Sequence, residues 1–379
     1  MDTSPGLPVV AAERLHRQIV AILAAWGMDA EIAEATAGAM VDTDLRGIDS
    51  HGVTMLIIYE ERLRAGRLAL RARPAILRET PVTALMDAGG GLGHFPSLAA
   101  IDLAIAKARR MGVALVAVRN SNHYGAAGTY ALRAAEAGLI GVTGTGSRTR
   151  CVVPTGARNA MFATNPIAFA APTRRNRPFV LDMATSTVAV GKVNLCWLND
   201  RPVPAGWVVD GAGRPVTDAE EARQFCLRRV EGGVTPLGGL PAMASHKGYG
   251  LAAMIEILST QLSGAIYCGT ADTDPRAKAT PYDDVGHFFL ALDPRAFRPD
   301  GAFEDELDQM LDLLRRAPPV DPAQPVLVAG DPEWAHYDRR RVEGIPMPVK
   351  LVHHVRAIAA RAGAPFLLFG QAAGPHPLG

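Results

Sequence analysis

Between Asp44 and Leu56 the chain reads DLRGIDSHGVTML, with Ser50, His51 and Gly52 in succession. An imidazole titrates near neutral pH and a neighbouring hydroxyl can pass a proton along, so Ser50–His51 suits general acid–base work. A capped helix end accounts for the same residue types. A serine–histidine hydrolase would also need an oxyanion hole and an orienting carboxylate, and no G-x-S-x-G elbow accompanies the pair.

Three further stretches place polar groups where a strand meets a turn. In VRNSNHYGAAGTYALRAAEAG an apolar strand over 113–118 runs into Ser121, Asn122 and His123, and a helix is expected to begin near Gly125. Small residues at Gly125, Ala126, Ala127 and Gly128 let backbone N–H groups approach a ligand, and a helix N-terminus favours phosphate. A polar turn with His123 as a cap is the structural alternative. In ASHKGYG, His246 and Lys247 precede a buried helix, where Lys247 either meets a phosphate as a point charge or stays solvated. In LDMATS, Asp182 ends an apolar strand and can accept from a ribose or from a main-chain donor. The signatures G-x-G-x-x-G, G-x-x-x-x-G-K-[ST] and H-E-x-x-H are all missing, so no familiar nucleotide fold is indicated.

These groups need elements to hold them. Leu15, Ile19, Ile22 and Leu23 recur at helical spacing before Gly27, and DAEIAEATAGAMVDTDLRG repeats the pattern up to Gly47. After residue 80 the pattern changes. VTALMD, GVALVAV, IGVTGTG, NPIAFAAP, PFVLDMA and HFFLALDP read as strands. SLAAIDLAIAKARRMG reads as a helix with Ser97 as N-cap and Gly112 beyond its end. YGLAAMIEILSTQLSG is apolar nearly all round and predicts a central or interface helix. FEDELDQMLDLLRRA and VKLVHHVRAIAARAG are amphipathic helices. The expected fold is therefore α+β or mixed α/β. It divides into an N-terminal helical lobe over 1–80, a strand-rich domain over 81–295, C-terminal helices over 296–370 that pack with the first lobe, and a disordered tail over 371–379.

Composition narrows the function class. Lys plus Arg total 39 against 38 Asp plus Glu, so no basic field gathers nucleic acid or anionic lipid. Four scattered cysteines with no C-x-x-C read as buried thiols in a reducing compartment, not a disulfide framework or zinc site. The first residues lack a signal-peptide pattern and no apolar run reaches about 18 residues. The expectation is a soluble cytoplasmic protein with no metal, acting on a small molecule.

Taken together, DLRGIDSHG, NSNHYGAAGTYALRAAEAGLIG, TNPIAFAAP, FVLDMATS, HKGYGLA and GIPMP resemble, in order and approximate spacing, the type-2 malate/L-lactate dehydrogenase family. That family also holds ureidoglycolate, sulfolactate and diketogulonate oxidoreductases and cyclic-imine-2-carboxylate reductases. The resemblance spans about Ala12 to Ala364. It implies an NAD(P)-dependent oxidoreductase with a malate/L-sulfolactate dehydrogenase-like, non-Rossmann fold, and a homodimer whose active site uses both subunits. By the same resemblance His51 is the proton donor or acceptor and Ser50 its relay. His123, Tyr124, Gly125, Ala126, Ala127, Asp182, Met183, Ala184, His246 and Lys247 form the cofactor site, and Thr164 is a substrate contact. Gly330, Asp331, Pro332 and Glu333 resemble a C-terminal cofactor loop, with Ala329 in place of its proline.

The chain departs from that pattern where substrate binds. Relatives read SHGVxR, the arginine pairing with a substrate carboxylate, whereas Met55 stands here. After MATS, Val190 occupies a site that often carries Arg, His or a large aromatic. Arg148 and Arg150 stand where relatives carry prolines or small residues, and one of them can clamp a carboxylate from another side. Both can equally be solvated. The expected substrate is thus a 2-oxo or 2-hydroxy acid, or a related carbonyl compound, other than malate or lactate. The alternative within the family is a cyclic ketimine reductase, although Lys192 follows Gly191 where an imine reductase would carry an acid. A non-catalytic nucleotide-binding homologue is the reading from another class, and retention of Ser50, His51, His123 and Lys247 argues against it. The residues do not choose between NAD and NADP: Arg174 and Arg175 can meet a 2′-phosphate or be solvated.

Overall fold

The computed structural model describes residues 7–369, so the tail expected over 371–379 lies outside the described residues. The chain forms two compact units, one from the described parts of Met1–Arg71 and Gly330–Gly379, the other from Ala72–Ala329.

The first unit is helical. Helices Ala12–Ala25, Ala30–Leu45, Leu56–Arg64, Asp331–Glu343 and Val349–Ala362 build it, with one short antiparallel pair, Val9–Val10 on Ile345–Pro346. Leu15, Ile19, Ile22 and Leu23 are all wholly buried, as their spacing predicted. Asp331–Glu343 carries no apolar stripe, which is why the sequence shows a loop there rather than a helix. Its buried residues are Trp334 and Arg340.

The second unit is built on a seven-stranded sheet. Its order is Ala75–Glu79, Thr83–Asp87, Val113–Ser121, Val285–Leu292, Ile140–Thr145, Ile167–Ala171, Phe179–Met183. Every neighbouring pair is antiparallel except Thr83–Asp87 on Val113–Ser121, which helix His94–Met111 connects as a single crossover unit. This is a mixed α/β fold without the continuous parallel sheet of a Rossmann domain. Strand Val285–Leu292 is last in sequence but fourth in space, and its near-unbroken apolar run reflects burial on both faces. Ala75–Glu79 is exposed throughout, so it lacked the alternation that marks a strand.

Three boundaries differ from the sequence expectation. The helix expected to be capped by Ser97 starts at His94, because Gly93 lies against the backbone of Asn122 and His123 and leaves no room for a longer loop. The helix expected from Gly125 starts at Gly128. The apolar helix after Lys247 is α-helical over His246–Glu256 and then π-helical over Ile257–Gln261. Its polarity is also reversed: Glu256, Ser259 and Thr260 are buried, whereas Met254, Ile257 and Leu262 are exposed. Helix Ala302–Arg315 belongs to the sheet-bearing unit, where wholly buried Asp308 accepts N–H bonds from Arg174, Arg175 and Asn176 at 3.1, 2.8 and 3.0 Å. Among the described residues no helix is long and apolar enough to cross a membrane, and no cluster of metal-ligating side chains occurs.

Candidate active site

Antiparallel pairing decides where the candidate residues of the sheet-bearing unit emerge. Ser121 lies opposite Val285, Thr145 opposite His287, Gly144 opposite Ile167, and Ile167 opposite Met183. The ends that lead into His123–Ala127, Gly146–Arg150 and Ala184–Ser186, and the start that follows Thr164, therefore share one rim of the sheet. Thr185 ties two of these together, its N–H and its hydroxyl donating to the Thr164 carbonyl at 2.9 and 3.1 Å. Leu237 N–H donates to the Thr185 carbonyl at 2.9 Å, and Gly248 packs so closely on Leu237 that a Cβ would lie 2.2 Å from its carbonyl oxygen. Exposed His246 and Lys247, which open helix His246–Glu256, are thereby anchored to the same rim.

Of the two partners open to Asp182 in the sequence, the structure supplies the main-chain donor: Gly128 N–H donates to its carboxylate at 2.7 Å. A carboxylate at this helix N-terminus satisfies one of its donors and offsets its dipole. Gly128 N–H is thus committed to Asp182. Gly125 adopts φ +78° and a Cβ there would come 2.8 Å from His94 Nε2, so glycine is required by conformation and by space. Tyr124 is buried and stacks on His287 with ring centroids 4.6 Å apart. Arg150 is committed to Asp272 at 2.6 Å, whereas Arg148 Nη1 is buried without a hydrogen-bond partner among the described residues. Val190 opens helix Val190–Leu198 and packs against an apolar cluster that includes Val152, Phe162 and Val193. Arg174 and Arg175 are exposed and pair with Asp305 and Asp312 at 2.6 and 3.1 Å.

In the helical unit, helix Ala30–Leu45 ends on a Schellman motif. Ile48 N–H donates to Thr43 and Gly47 N–H to Asp44, both at 3.1 Å, with Gly47 at φ +78°. The chain then turns back on the helix end. Val53 N–H donates to the Asp44 carboxylate at 2.8 Å, and a Cβ on Gly52 would sit 1.9 Å from that carboxylate. Between these fixed points Ser50 is exposed and His51 half-buried, with Ser50 Oγ and His51 Nδ1 2.8 Å apart. Burial holds the His51 imidazole below its ordinary pKa, which keeps it neutral at pH 7. Met55 is buried in the short helix Val53–Met55. Gly330 caps helix Asp331–Glu343, and Asp331, Pro332 and Glu333 form its first turn. Two acids there, Asp331 and Glu333, complement the helix dipole. Sequence reasoning passed over Asp44, Arg340, Glu256 and His287. All four are buried polar groups whose partners lie on other elements, and no local pattern marks them.

The sequence matches the malate/L-lactate dehydrogenase family over residues 10–356. The chain belongs to that family. It is an oxidoreductase. It is 37% identical over 355 residues to a malate dehydrogenase of Pyrococcus abyssi, covering 93% of this chain and 95% of that protein. Its fold matches the malate dehydrogenase structure from Entamoeba histolytica with a TM-score of 0.89 at 28% identity, covering 95% and 99% of the two chains. It also matches a Δ1-piperideine-2-carboxylate reductase from Pseudomonas syringae with a TM-score of 0.80 at 28% identity, covering 93% and 100%.

Asp44 yields a prediction about stability. Burial, the dominant influence, raises its carboxyl well above the ordinary carboxylate range, against the Val53 N–H bond that lowers it. A raised folded-state pKa means that the folded chain holds the proton longer than the unfolded chain does. The associated stability is complete below about pH 4, the unfolded value, and is lost as pH climbs through the folded value. Asp44→Asn keeps an acceptor for Val53 and carries no charge. Its melting temperature should exceed that of the parent at pH 7, with the gap closing as the pH falls toward about 4. An equal or lower melting temperature at pH 7 would refute this account of the buried carboxyl.

Proposed function

We propose that this enzyme moves a hydride between a nicotinamide cofactor and the C2 carbon of a 2-hydroxy or 2-oxo acid, with His51 exchanging the accompanying proton. The observation that carries this reading is the neutral, half-buried imidazole of His51 bonded to Ser50. Bound NAD(P) accepts the hydride in oxidation and supplies it in reduction. In the oxidative direction His51 takes the hydroxyl proton at Nε2 while Nδ1–H donates to Ser50 Oγ, and the serine passes the charge-balancing proton toward solvent. In reduction the same groups return it to the carbonyl oxygen. The cofactor fits the rim of the sheet-bearing unit on its chemistry: an exposed cation at Lys247, half-buried Asp182 to Ala184, and half-buried His123 at the head of the turn that runs to Ala127. No residue of the described chain favours NAD over NADP.

Two substitutions separate these roles. His51→Ala should lower turnover by about 10²–10⁴-fold with cofactor affinity nearly unchanged, while Lys247→Ala should weaken cofactor binding with turnover at saturation largely kept. In the parent, a base must be neutral to accept, so the oxidation rate should fall on the acid side with a midpoint below about 6.5, and that limb should vanish in His51→Ala. Calorimetry and pH-rate profiles check both points, and a folded His51→Ala protein with near-parental turnover would remove His51 from the role.

For substrate, we infer an acid with an apolar or extended side group. Buried Met55 and core-packed Val190 stand where relatives place cationic or bulky groups, and a lost charge-assisted bond is worth about 1.5–3 kcal/mol. Arg148, not Arg150, is the cation with unspent donors to hold the carboxylate. Simple malate, lactate and their oxo acids should be poor substrates, and Arg148→Ala should raise KM for the best oxo acid far more than Arg150→Ala. Reduction of pyruvate or oxaloacetate with kcat/KM on the order of 10⁵ M⁻¹s⁻¹ would contradict this. The likeness to the piperideine-2-carboxylate reductase supports a second reading, reduction of a cyclic imine, which assays of cyclic imines beside the oxo acids resolve.

The exposed apolar side chains Met254, Ile257 and Leu262, with Leu195 and Leu198 on Val190–Leu198, support a homodimer, since such surface is costly in water. Light scattering at micromolar concentration should give twice the chain mass, and a monomer would refute it.

A further inference from the structure

Helix Asp331–Glu343 meets the turn that carries Ser50 and His51 at three successive points. Arg46, at the end of helix Ala30–Leu45, lays its guanidinium over Trp334 and Tyr337 at 4.4 and 4.9 Å from the ring centroids. Gly47 sits against His336, where a Cβ would be 2.8 Å from the imidazole Cγ. One turn further on, Arg340 Nη1 donates to the Asp44 carbonyl and to one carboxylate oxygen of Asp49, and Nη2 donates to the other at 3.1 Å. Arg340 is only 5% exposed, yet its salt-bridge partner is largely in solvent and its Nε has no hydrogen-bond partner among the described residues. A buried guanidinium with an exposed counter-ion and an unused donor is a poor way to gain stability, because the desolvation cost is not fully returned. It is a good way to fix the distance between two backbone points, since the planar fork grips a carboxylate in one orientation.

We propose that Arg340 is a positioning residue for the proton-handling turn: its fork, joining Asp44 and Asp49, holds Ser50 and His51 in their bonded geometry and balances the charge of Asp49, two residues before His51 in the chain. The inference rests on the role assigned to His51 above. The charged or titratable groups around the turn are Asp44 and Asp49 beside it in the chain, Arg46 with its partner Asp42 on the preceding helix, and Glu333, His336, Arg339 and Arg340 on Asp331–Glu343. The first turn of this same helix is Gly330–Glu333, so the element that holds the imidazole also carries residues assigned to cofactor contact.

The test reads the ring of His51 directly. In Arg340→Gln the Asp49 carboxylate loses its counter-charge, which favours imidazolium, so the NMR titration midpoint of His51 should move upward. Turnover on the best oxo acid or imine substrate should fall about tenfold while KM for cofactor stays within about twofold. Arg340→Lys keeps the charge without the fork, and should restore the titration midpoint but not full turnover. Asp49→Asn, a change at an exposed side chain, should lower turnover likewise, and Asp49→Asn combined with Arg340→Gln should be no worse than the more affected single variant. The proposal is overturned if Arg340→Gln lowers only the melting temperature and leaves the His51 midpoint and turnover alone, or if the two losses multiply. Should Arg340→Gln fail to fold, parental turnover in Asp49→Asn overturns it alone. Because the titration does not depend on catalysis, an active His51→Ala protein would end the assigned role of His51 without deciding whether Arg340 holds the turn.

Discussion

The rim of the sheet depends on one imidazole that does no chemistry. His287 lies wholly buried on the inserted strand and bridges the strands on either side, Nδ1 to Thr145 Oγ1 at 2.7 Å and Nε2 to Ser121 Oγ at 2.8 Å. Burial drives its pKa down to about 3, so it stays neutral and its two nitrogens act as one donor and one acceptor across the working pH range. Ser121 and Thr145 are the last residues of their strands, and each leads directly into a loop that carries candidate residues. A fixed bridge at this level sets where both loops depart. The ring also stacks on Tyr124, whose backbone carbonyl accepts from Tyr130, which extends the constraint into the His123–Ala127 turn.

A second buried polar contact fixes the other half of the rim. Asn165 adopts φ +35°, a costly conformation for a side-chain-bearing residue, and its amide donates to Glu256 at 2.5 Å. Glu256 is the last residue of the α-helix before the π-helical turn. The π turn lets the following residues rotate, so that Ser259 and Thr260 face the interior and Ile257 faces outward. Thr164, one residue before Asn165, is therefore placed by a strained backbone, by Thr185 and by helix His246–Glu256.

The fold class and six of the seven sheet strands were legible because their apolar runs are bounded by turn residues. The family was legible because several short motifs agree in order. The order of strands in the sheet was not, since nothing in HFFLALDP says that it enters between strands some 140 to 170 residues earlier. Helix Asp331–Glu343 was missed for a related reason. Its inner face is made of Trp334, His336 and Arg340 rather than aliphatic residues, so hydrophobic periodicity passes over it. The position of Ser50 and His51 on a turn could be read locally from Gly47. The carboxylate and the arginine that shape that turn could not, because Asp44 looks like any helical acid and Arg340 lies 291 residues from Asp49.

Charge at the rim also limits what the sheet-bearing unit can hold. Arg150 is answered by Asp272, Asp182 is turned toward a helix N-terminus, and Arg174 and Arg175, each paired with an acid, follow the opposite end of strand Ile167–Ala171 from the rim. Arg148 and Lys247 lie on different segments that reach this rim. In the proposed reaction the two divide the work, a point charge for phosphate at Lys247 and a planar fork for a carboxylate at Arg148. Arginine cannot give up its proton and matches a carboxylate in two bonds, whereas lysine tolerates the varied geometry of a pyrophosphate. Exchanging the two residue types would preserve net charge and still lose the discrimination between cofactor and substrate.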